Sequence, residues 1–328
     1  MRRGRTSREG MALLTVLLLV AVMAAVAVVL LDDVRFSVRR TTNADVQAQA
    51  QWYAAGAESL ARRQIADLIK ADPLRTPLEP RWNGRLLNFP IEEGAIRAVV
   101  TDGQACFNLN SLVYGQREDL FARPEGAAQF IALGAALGVS RARMAAAAAA
   151  LTDWMDADAE AAPGGAEDAR YAGLATPYRT GGIMLADVSE MRAVAHIDAG
   201  LYDRLRPYVC ALPTAQPAKL NVNTLTPDQA PLLTMLTGGA VGVQGARAAI
   251  AARPRQGWAS TDAFWGQPAL QTYSPDDQTR EQVTLVTRYF DLTVDVDYAG
   301  GRAVRTALIH AAPDGAVRTV IRRWTPEE

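Results

Sequence analysis

The segment from Met11 to Leu31 contains no charged residue, and Thr15 is its only polar side chain. A run of this length crosses a bilayer as one helix, because about 20 residues span about 30 Å of hydrocarbon. Arginine recurs in the ten residues before the run, where Glu9 is the only acid. By the positive-inside rule, the short basic leader stays in the cytoplasm and the bulk of the chain lies across the membrane.

The junction between leader and apolar run is unusual. An ordinary secretory signal has a shorter apolar region, with small residues at a cleavage site on its far side. Here the far side reads Leu30-Leu31-Asp32-Asp33 and offers no such site. A cut between Gly10 and Met11 would remove only residues 1–10 and leave the membrane helix attached. The alternative is a plain single-pass anchor that keeps its leader.

Apolar residues continue beyond the membrane segment at helical spacing. They are Val46, Ala50, Tyr53, Ala57, Leu60, Ile65 and Leu68. The first proline of the chain is Pro73, which would end the helix. The pattern therefore predicts one helix from Met11 to Ala71, about 90 Å long at 1.5 Å per residue. Its apolar stripe must pack against something.

In the chain after the long helix, the sequence predicts β-strands near the beginning and near the C-terminus. Residues 72–90 contain four prolines and indicate an irregular connector, followed by a short strand over residues 91–101. Near the C-terminus, strict apolar–polar alternation over residues 290–298 predicts a half-buried strand. Two further strands, 302–310 and 317–324, are separated from it and from each other by glycine-containing turns. We expect these three antiparallel strands to cover the long helix.

The middle of the chain is predicted to be helical, in two modules. In the first, residues 118–137 and 141–155 indicate helices, with Ser140 as an N-cap. In the second, Pro227 follows the capping residue Thr226 and starts a helix. The chain thus divides into a leader (1–10), a membrane and spine helix (11–72), the first part of the sheet domain (73–105), an inserted helical domain (106–213), a second helical module (214–279) and closing strands (280–328).

Six carboxylates lie within sixteen residues, close to Pro163 and two glycines. They are Asp153, Asp156, Asp158, Glu160, Glu167 and Asp168. At such spacing the like charges repel one another, whereas Ca²⁺ takes several carboxylate and carbonyl oxygens on a flexible loop. The spacing is not that of an EF-hand. We therefore expect a structural Ca²⁺ site formed by these six residues, and the alternative is a plain acidic loop.

The sequence offers little support for nucleophilic catalysis or for a zinc site. His196 and His310 lie in different modules, and a Gly-x-Ser-x-Gly motif does not occur. Cys106 and Cys210 are too far apart in sequence to indicate a zinc site. Beyond a membrane they are possible disulfide partners, and the alternative is two buried free thiols.

The second module resembles a helix-hairpin-helix, a motif that presents backbone N–H groups to the phosphates of DNA. Residues 221–265 carry only Arg247, Arg253 and Arg255 against two aspartates, and the net charge of the whole chain is −1. This is a weak electrostatic footprint for a nucleic-acid binder. A small packing module is the favoured interpretation, and no nucleic-acid partner is expected.

With these modules in order, the chain resembles the minor pseudopilin K family of the type II secretion system. The resemblance covers nearly the whole length, and its separate stretches are specific only when taken together. They are Gly10-Met11 with the following helix, Phe107-Asn108-Leu109-Asn110, Asp153–Asp158 with Gly165–Asp168, Tyr171, Pro177-Tyr178-Arg179, Ala211-Leu212-Pro213 and Asn221-Val222-Asn223-Thr224.

The resemblance implies an α+β pilin-like fold, in which a long N-terminal helix packs on a small antiparallel sheet interrupted by a large all-helical insertion. It implies Ca²⁺ in the helical domain, and Cys106 and Cys210 bracket that insertion. It also implies cleavage after Gly10 and methylation of Met11 by a prepilin peptidase. The implied location is the inner membrane, with a single span and the C-terminal bulk in the periplasm.

The fifth residue of the mature chain would be Thr15, where most pilins have a glutamate and K-type pseudopilins do not. That glutamate neutralises the N-terminal ammonium of a neighbouring subunit, since an unpaired charge in the membrane is costly. We therefore expect a non-enzymatic subunit that initiates and caps the pseudopilus. Its expected partners are other minor pseudopilins, bound through the stripe of residues 46–68, then the major pseudopilin and the inner-membrane secretion platform. The alternatives are a membrane-anchored helix-hairpin-helix DNA receptor and a Ca²⁺-dependent hydrolase.

Overall fold

A single long helix forms the first part of the chain. The computed structural model describes residues 7–117 and 119–324, and helix α1 spans Ser7–Ala71 without a break. The predicted end at Ala71 is confirmed, and the helix starts four residues before the predicted Met11. Nearly all of residues 11–49 are exposed, whereas one face is buried from Ala50 onward. Residues 1–6 of the predicted leader lie outside the described residues.

A β-hairpin follows the helix. Strand β1 spans Arg85–Ile91, strand β2 spans Gly94–Asp102, and the two pair antiparallel. The prediction of an irregular connector over residues 72–90 is wrong for its last part, which belongs to β1. This strand lies at the sheet edge with mostly exposed side chains, so it shows no clear alternation. It also contains Pro90, which a sheet edge tolerates because one row of its N–H groups has no partner strand.

The first helical module contains short strands as well as helices. In chain order its elements are β3 Phe107–Asn108, β4 Val113–Gln116, β5 Asp119–Ala122, α2 Pro124–Ala136, α3 Arg141–Met155, α4 Asp168–Ala172, α5 Ala199–Leu205 and β6 Val209–Cys210. Strands β4 and β5 form a hairpin, so the predicted helix start at residue 118 is wrong. The helix starts instead at Pro124, whose fixed φ suits a first helical position. Helix α3 has its predicted bounds, with Ser140 as N-cap.

The second helical module is built from short segments. In chain order they are β7 Leu220–Asn221, α6 Ala230–Leu236, α7 Val243–Ala251, α8 Thr261–Trp265, α9 Asp277–Glu281 and β8 Val283–Thr284. The predicted cap at Thr226 is confirmed, where Thr226 and Gln229 form a reciprocal capping box. The first turn after this cap is a 3₁₀-helix over Pro227–Gln229, and the α-helix proper begins at Ala230.

The last three strands complete one sheet with the first hairpin. They are β9 Tyr289–Tyr298, β10 Gly301–Ala311 and β11 Val317–Arg323, each within one residue of its predicted bounds. The strand order is β1-β2-β9-β10-β11, and every neighbouring pair is antiparallel. The sheet therefore has five strands, one more than the four that the sequence predicts, and the additional strand is β1. Strands β2 and β9 are neighbours although residues 103–288 separate them.

Both helical modules begin with the same six-residue pattern. Residues 107–112 read Phe-Asn-Leu-Asn-Ser-Leu, and residues 220–225 read Leu-Asn-Val-Asn-Thr-Leu. The hydroxyl of Ser111 donates to the Asn108 carbonyl at 2.6 Å, and that of Thr224 donates to the Asn221 carbonyl at 2.8 Å. In each module the entering strand pairs in parallel with a strand near the module's exit, β3 with β6 and β7 with β8. The two modules therefore share one repeated entry turn.

A disulfide closes the first module, and a buried carboxylate joins the second module to the sheet. Cys106 and Cys210 form a disulfide across a sequence separation of 104 residues. Closing a loop of about 100 residues stabilises a fold by about 4–5 kcal/mol in the chain-entropy model. Asp102, at the end of β2, accepts hydrogen bonds from the hydroxyls of Thr224 and Thr287. Burial raises the pKa of Asp102 to about 6.

A buried carboxylate on α1 holds the helix against the sheet. Glu58 is 1% exposed and accepts hydrogen bonds from Arg305 at 2.7 Å, from Arg322 at 2.6 Å and from Thr319 at 2.6 Å. Arg305 is itself buried, and its guanidinium lies 4.4 Å from the ring centre of Trp324. Burial acts to raise the pKa of Glu58, but the bonds from Arg322, Thr319 and Arg305 outweigh it and lower the pKa to about 2.

Replacing this carboxylate should weaken the whole fold. We expect Glu58→Gln to lower the free energy of unfolding by about 3–5 kcal/mol, because Arg305 would stay buried without its counter-charge. Urea unfolding of the full chain in detergent measures the change. The contribution of Glu58 is complete above pH 4.5 and is lost as the pH falls towards 2, since its pKa is lower in the folded state.

Asp67→Asn is the matched control on the same helix. Asp67 pairs with Arg63 at 3.3 Å, and both side chains are well exposed. An exposed pair of this kind contributes less than about 0.5 kcal/mol. Equal losses in Asp67→Asn and Glu58→Gln would contradict the role assigned to the buried carboxylate.

Candidate metal centre

The end of α3 and the loop that follows it position the acidic cluster. Asp153 lies in the last turn of α3, and Asp156 is the residue that caps its C-terminus. Asp158 lies in the following loop, and Glu167 is the N-cap of α4. One helix end and one helix start therefore bring these carboxylates together, although eight or more residues separate Glu167 from the others.

Three carboxylates converge. One oxygen from each of Asp156, Asp158 and Glu167 lies within 4.8 Å of the other two. Asp156 and Glu167 are each 7% exposed, whereas Asp158 is exposed. The group therefore has two buried members and one member that faces solvent.

Two carboxylate oxygens of these three residues have no protein partner. Within the described residues, Asp156 Oδ1 and Glu167 Oε1 are buried and accept no hydrogen bond. A buried polar atom without a partner costs about 1–3 kcal/mol, and more when it is charged. A cation bound between these oxygens would remove that cost.

The electrostatics of the group also favour a bound cation. Burial, followed by repulsion from Asp158, Asp153 and Glu167, raises the pKa of Asp156 to about 7. Burial raises the pKa of Glu167 as well, and the neighbouring acids add to that shift. Such shifts express the cost of charging these groups next to one another in the absence of a counter-charge.

Asp153 braces the loop from inside. Its carboxylate accepts the N–H of Ala166 at 2.7 Å and the N–H of Ala162 at 3.2 Å. A Cβ on Gly165 would lie 2.0 Å from Asp153 Oδ2, so only glycine fits at this position. Burial raises the pKa of Asp153 despite these two bonds. Asp153 therefore shapes the acidic loop and stands outside the converging group.

The two remaining predicted ligands also stand outside that group. Asp168 accepts the backbone N–H and the hydroxyl of Thr180, at 2.8 and 3.0 Å. These bonds lower the pKa of Asp168, and Arg179 at 3.9 Å adds to the effect. Glu160 is exposed on the loop. Of the six predicted carboxylates, the structure thus groups three.

Three aromatic side chains, Trp154, Tyr171 and Tyr178, form a wall beside the acidic group. The sequence analysis did not predict that they contribute to this site. The Trp154 ring meets Tyr171 edge to face with centroids 5.2 Å apart, and Tyr178 stacks on Tyr171 at 5.2 Å. The N–H groups of Gly181 and Gly182 both donate to the Trp154 carbonyl, at 3.1 and 3.0 Å. This wall holds residues 178–182 against the end of α3, next to Asp156.

The donor set fits Ca²⁺. All three converging side chains are carboxylates, the hard oxygen ligands that Ca²⁺ prefers, whereas structural zinc sites use cysteine and histidine. Asp156, Asp158 and Glu167 are the residues that would hold the ion. Bound there, Ca²⁺ would supply a counter-charge and tie the end of α3 to the start of α4.

Two of the three arginines noted in the second module contact groups within the chain. Arg253 donates to the Leu225 carbonyl at 2.7 Å, and Arg247 lies 3.9 Å from Asp228. A protein that binds nucleic-acid phosphates presents its cations to solvent. The geometry of this module does not favour the alternative of a DNA receptor.

Comparison with known proteins identifies the family. The family models described as "Type II secretion system (T2SS), protein K" match residues 105–214 and 220–286. Type II secretion system protein K of Klebsiella pneumoniae is 40% identical over 264 residues, which are 80% of this chain and 81% of that protein. This chain belongs to the protein K family of the type II secretion system. It is thus a minor pseudopilin.

Further protein K relatives cover more of the chain. Protein K of Pectobacterium carotovorum is 34% identical over 308 residues, 93% of each protein. A chain of the crystal structure of the GspK-GspI-GspJ complex from enterotoxigenic Escherichia coli matches with a TM-score of 0.76. It is 32% identical, and the match covers 88% of this chain and 100% of that one. This similarity confirms the predicted α+β pilin-like fold.

Metal removal should destabilise the protein. EDTA is expected to lower the melting temperature of the full chain, because an ion that binds only the folded state stabilises it by mass action. Asp156→Asn should abolish this response to EDTA, and Glu160→Gln should leave it unchanged, since Glu160 lies outside the converging group. Calorimetry of the three proteins measures the effect. An unchanged melting temperature in EDTA would contradict the metal site.

The site should also respond to pH. The folded-state pKa of Asp156 is raised from 3.8 to about 7, so in the metal-free protein its destabilising charge is complete above pH 7 and is relieved as the pH falls. Ca²⁺ has to displace the proton below pH 7, which weakens its binding. We therefore expect EDTA to lower the melting temperature more at pH 8 than at pH 5.5. Equal decreases at both pH values would exclude Asp156 as a ligand.

Proposed function

We propose that this minor pseudopilin forms the tip of the pseudopilus, initiates its assembly and has no enzymatic activity. The observation that supports this proposal is the position of the two helical modules. Residues 103–288, more than half of the chain, are inserted between β2 and β9 and leave the sheet at one end.

That end is the one farthest from the membrane segment. At the near end, the β9–β10 turn meets α1, since a Cβ on Gly301 would lie 2.6 Å from a Val46 methyl. Gly94 of β2 pairs with Tyr298 at this end, and Asp102 pairs with Phe290 at the other. The modules begin beyond Asp102, about 26 Å further along the strand at 3.3 Å per residue. A subunit stacked above this one would meet the modules instead of an open helix end.

The membrane segment supports the same position. Thr15 stands where most pilins have a glutamate, and its hydroxyl donates to the Ala12 carbonyl at 2.9 Å. The side chain is thus satisfied within its own helix and supplies no charge to a neighbouring subunit. A first subunit has no ammonium ahead of it to neutralise, so an acid at this position would remain unpaired in the membrane.

The proposal includes a location and a maturation step. Among the described residues, α1 is the one helix long and apolar enough to cross a membrane. We place it in the inner membrane with the sheet and both modules in the periplasm, where Ca²⁺ binds at the acidic loop. Prepilin peptidase would cleave after Gly10 and methylate Met11. The major pseudopilin below and the inner-membrane secretion platform are the further proposed partners.

Filament labelling tests the proposal. In cells that overproduce the major pseudopilin, antibody–gold against this chain should mark one end of each filament, and deletion of the chain should sharply reduce the number of filaments. A Thr15→Glu variant should assemble less well than Thr15→Ser, because only the glutamate adds an unpaired charge. Gold along the filament shaft would contradict a tip subunit.

Mass spectrometry of the mature chain tests the proposed cleavage and methylation. A protein purified from membranes should begin with methylated Met11. A mature chain that retains residues 1–10 would show that the peptidase does not process it, and it would exclude a pseudopilin maturation route.

A further inference from the structure

The first turns of α1 beyond the membrane segment carry a cluster of arginines. Residues 34–44 contain three arginines and no acid. They are Arg35, Arg39 and Arg40, and we call them the juxtamembrane arginines. All of residues 34–44 are exposed, and the turn between β9 and β10 meets α1 only at Val46. About 22 Å of uncovered helix therefore separates Leu31, the end of the apolar run, from the sheet.

Two of the juxtamembrane arginines have no counter-charge within the chain. Arg35 lies 3.9 Å from Asp32 in an exposed i, i+3 pair. Within the described ranges 7–117 and 119–324, no acid pairs with Arg39 or Arg40. The charges of these two side chains are therefore available to a partner outside the chain.

The geometry of the helix directs these side chains back towards the bilayer. Every Cα–Cβ bond of an α-helix is tilted towards the N-terminus, which for α1 is the membrane side. The Cα atoms of Arg39 and Arg40 lie about 12 and 14 Å beyond Leu31 along the helix. The headgroup layer is about 5–7 Å thick on each side of the hydrocarbon. Long arginine side chains near the end of a membrane helix bridge a gap of this size by reaching back to the interface.

An aromatic side chain lies on the same face of the helix. At about 100° per residue, the three juxtamembrane arginines fall within a sector of about 140°, and Phe36 lies inside that sector. Phe36 is 68% exposed. A phenyl ring is more stable at the boundary of the headgroups than in water. This face of α1 therefore combines cations and an apolar ring at the height of the headgroups.

Membrane orientation does not account for the juxtamembrane arginines. Cations that orient a membrane helix lie on its cytoplasmic side, and in this chain those are the arginines of the leader. The juxtamembrane arginines lie on the opposite side, where they oppose that orientation. Cleavage after Gly10, as proposed above, would leave them as the only arginines next to the membrane, because the next one along the chain is Arg62.

We propose that the juxtamembrane arginines bind the phosphate groups of anionic phospholipids in the periplasmic leaflet, and that this contact fixes the depth of α1 in the bilayer. A guanidinium donates two parallel hydrogen bonds to a phosphate. Each arginine close to an anionic membrane surface strengthens binding about fivefold. The inference rests on the location proposed above, a single span of the inner membrane, and goes beyond the tip function.

Lipid binding by the mature chain tests the proposal. The protein is purified from membranes in a mild detergent and titrated with phosphatidylglycerol, or with phosphatidylcholine as the control without net charge. Native mass spectrometry measures the bound lipid. We expect the double variant Arg39→Gln, Arg40→Gln to bind phosphatidylglycerol at least tenfold more weakly than the wild type, and phosphatidylcholine equally.

Arg62→Gln, Arg63→Gln is the matched control. It also replaces two adjacent arginines of α1, about 35 Å further from the membrane, and should leave phosphatidylglycerol binding unchanged. Equal losses in the two double variants would overturn the inference, and so would equal binding of both lipids to the wild type. Displacement of the lipid by millimolar inorganic phosphate would show a general anion site instead of a lipid site.

The depth of α1 is the second readout. Cys106 and Cys210 form a disulfide and are the two cysteines of the chain, so a Val34→Cys variant carries one free thiol. Its reaction with a membrane-impermeant maleimide is followed in phosphatidylcholine vesicles with about one quarter phosphatidylglycerol. The reaction should become at least threefold faster when Arg39→Gln and Arg40→Gln are added, because the helix moves outward. In pure phosphatidylcholine the two rates should be equal. Equal rates in the anionic vesicles would contradict depth control.

The inference and the proposed location fail in different ways. If only detergent releases the chain from membranes but Arg39→Gln, Arg40→Gln binds phosphatidylglycerol normally, the lipid site is wrong and the location stands. If the chain is released without detergent, the location and the lipid site are both wrong. Loss of a protein partner from this variant, with normal lipid binding, would assign the arginines to a protein contact and overturn the inference.

Discussion

The contact between α1 and the five-stranded sheet is the constraint on which the other features depend. The second half of a 65-residue helix acquires a core only through the strands that cover it, chiefly β9 and β10. Ala50, Ala54 and Ala61 let the sheet approach the helix closely. Glu58 then fixes the position of the helix along the sheet, because its two arginine partners lie on two different strands. A shifted helix would leave Glu58 and Arg305 buried without partners, which costs several kcal/mol.

The pairing of β2 with β9 carries this constraint into the helical modules. The inserted chain leaves the sheet at the end of β2 and returns at the start of β9, which lies at the same end of the sheet. The polar and covalent links lie at this end. The disulfide closes the base of the first module, and Asp102 joins the sheet to the second module through Thr224. The acidic loop lies within the first module, at the end of α3. We therefore expect a metal ion bound at this loop to stabilise that module.

Strongly periodic elements were predictable and weakly periodic ones were not. Helix α3 and strands β9 to β11 follow their sequence patterns closely, because burial on one face selects apolar residues at a regular interval. Strand β1 is mostly exposed, so no such selection marks it. The site shows the same limit. The concentration of carboxylates in the sequence located the acidic loop. However, Asp168 accepts a hydrogen bond from Thr180, and Asp153 accepts one from the loop backbone. The spacing of the carboxylates does not show which of them are used in this way.

By itself, the sequence determined the membrane helix, its continuation as a spine, the closing strands and the position of the acidic loop. These features depend on the local order of polar and apolar residues, and local order is what a sequence displays. The tertiary structure alone decided that Asp156, Asp158 and Glu167 converge, and that Trp52, Gly56 and Leu60 stay uncovered beside β1. The reason is physical: both outcomes depend on contacts between segments that the chain brings together only when the sheet and the helices have packed.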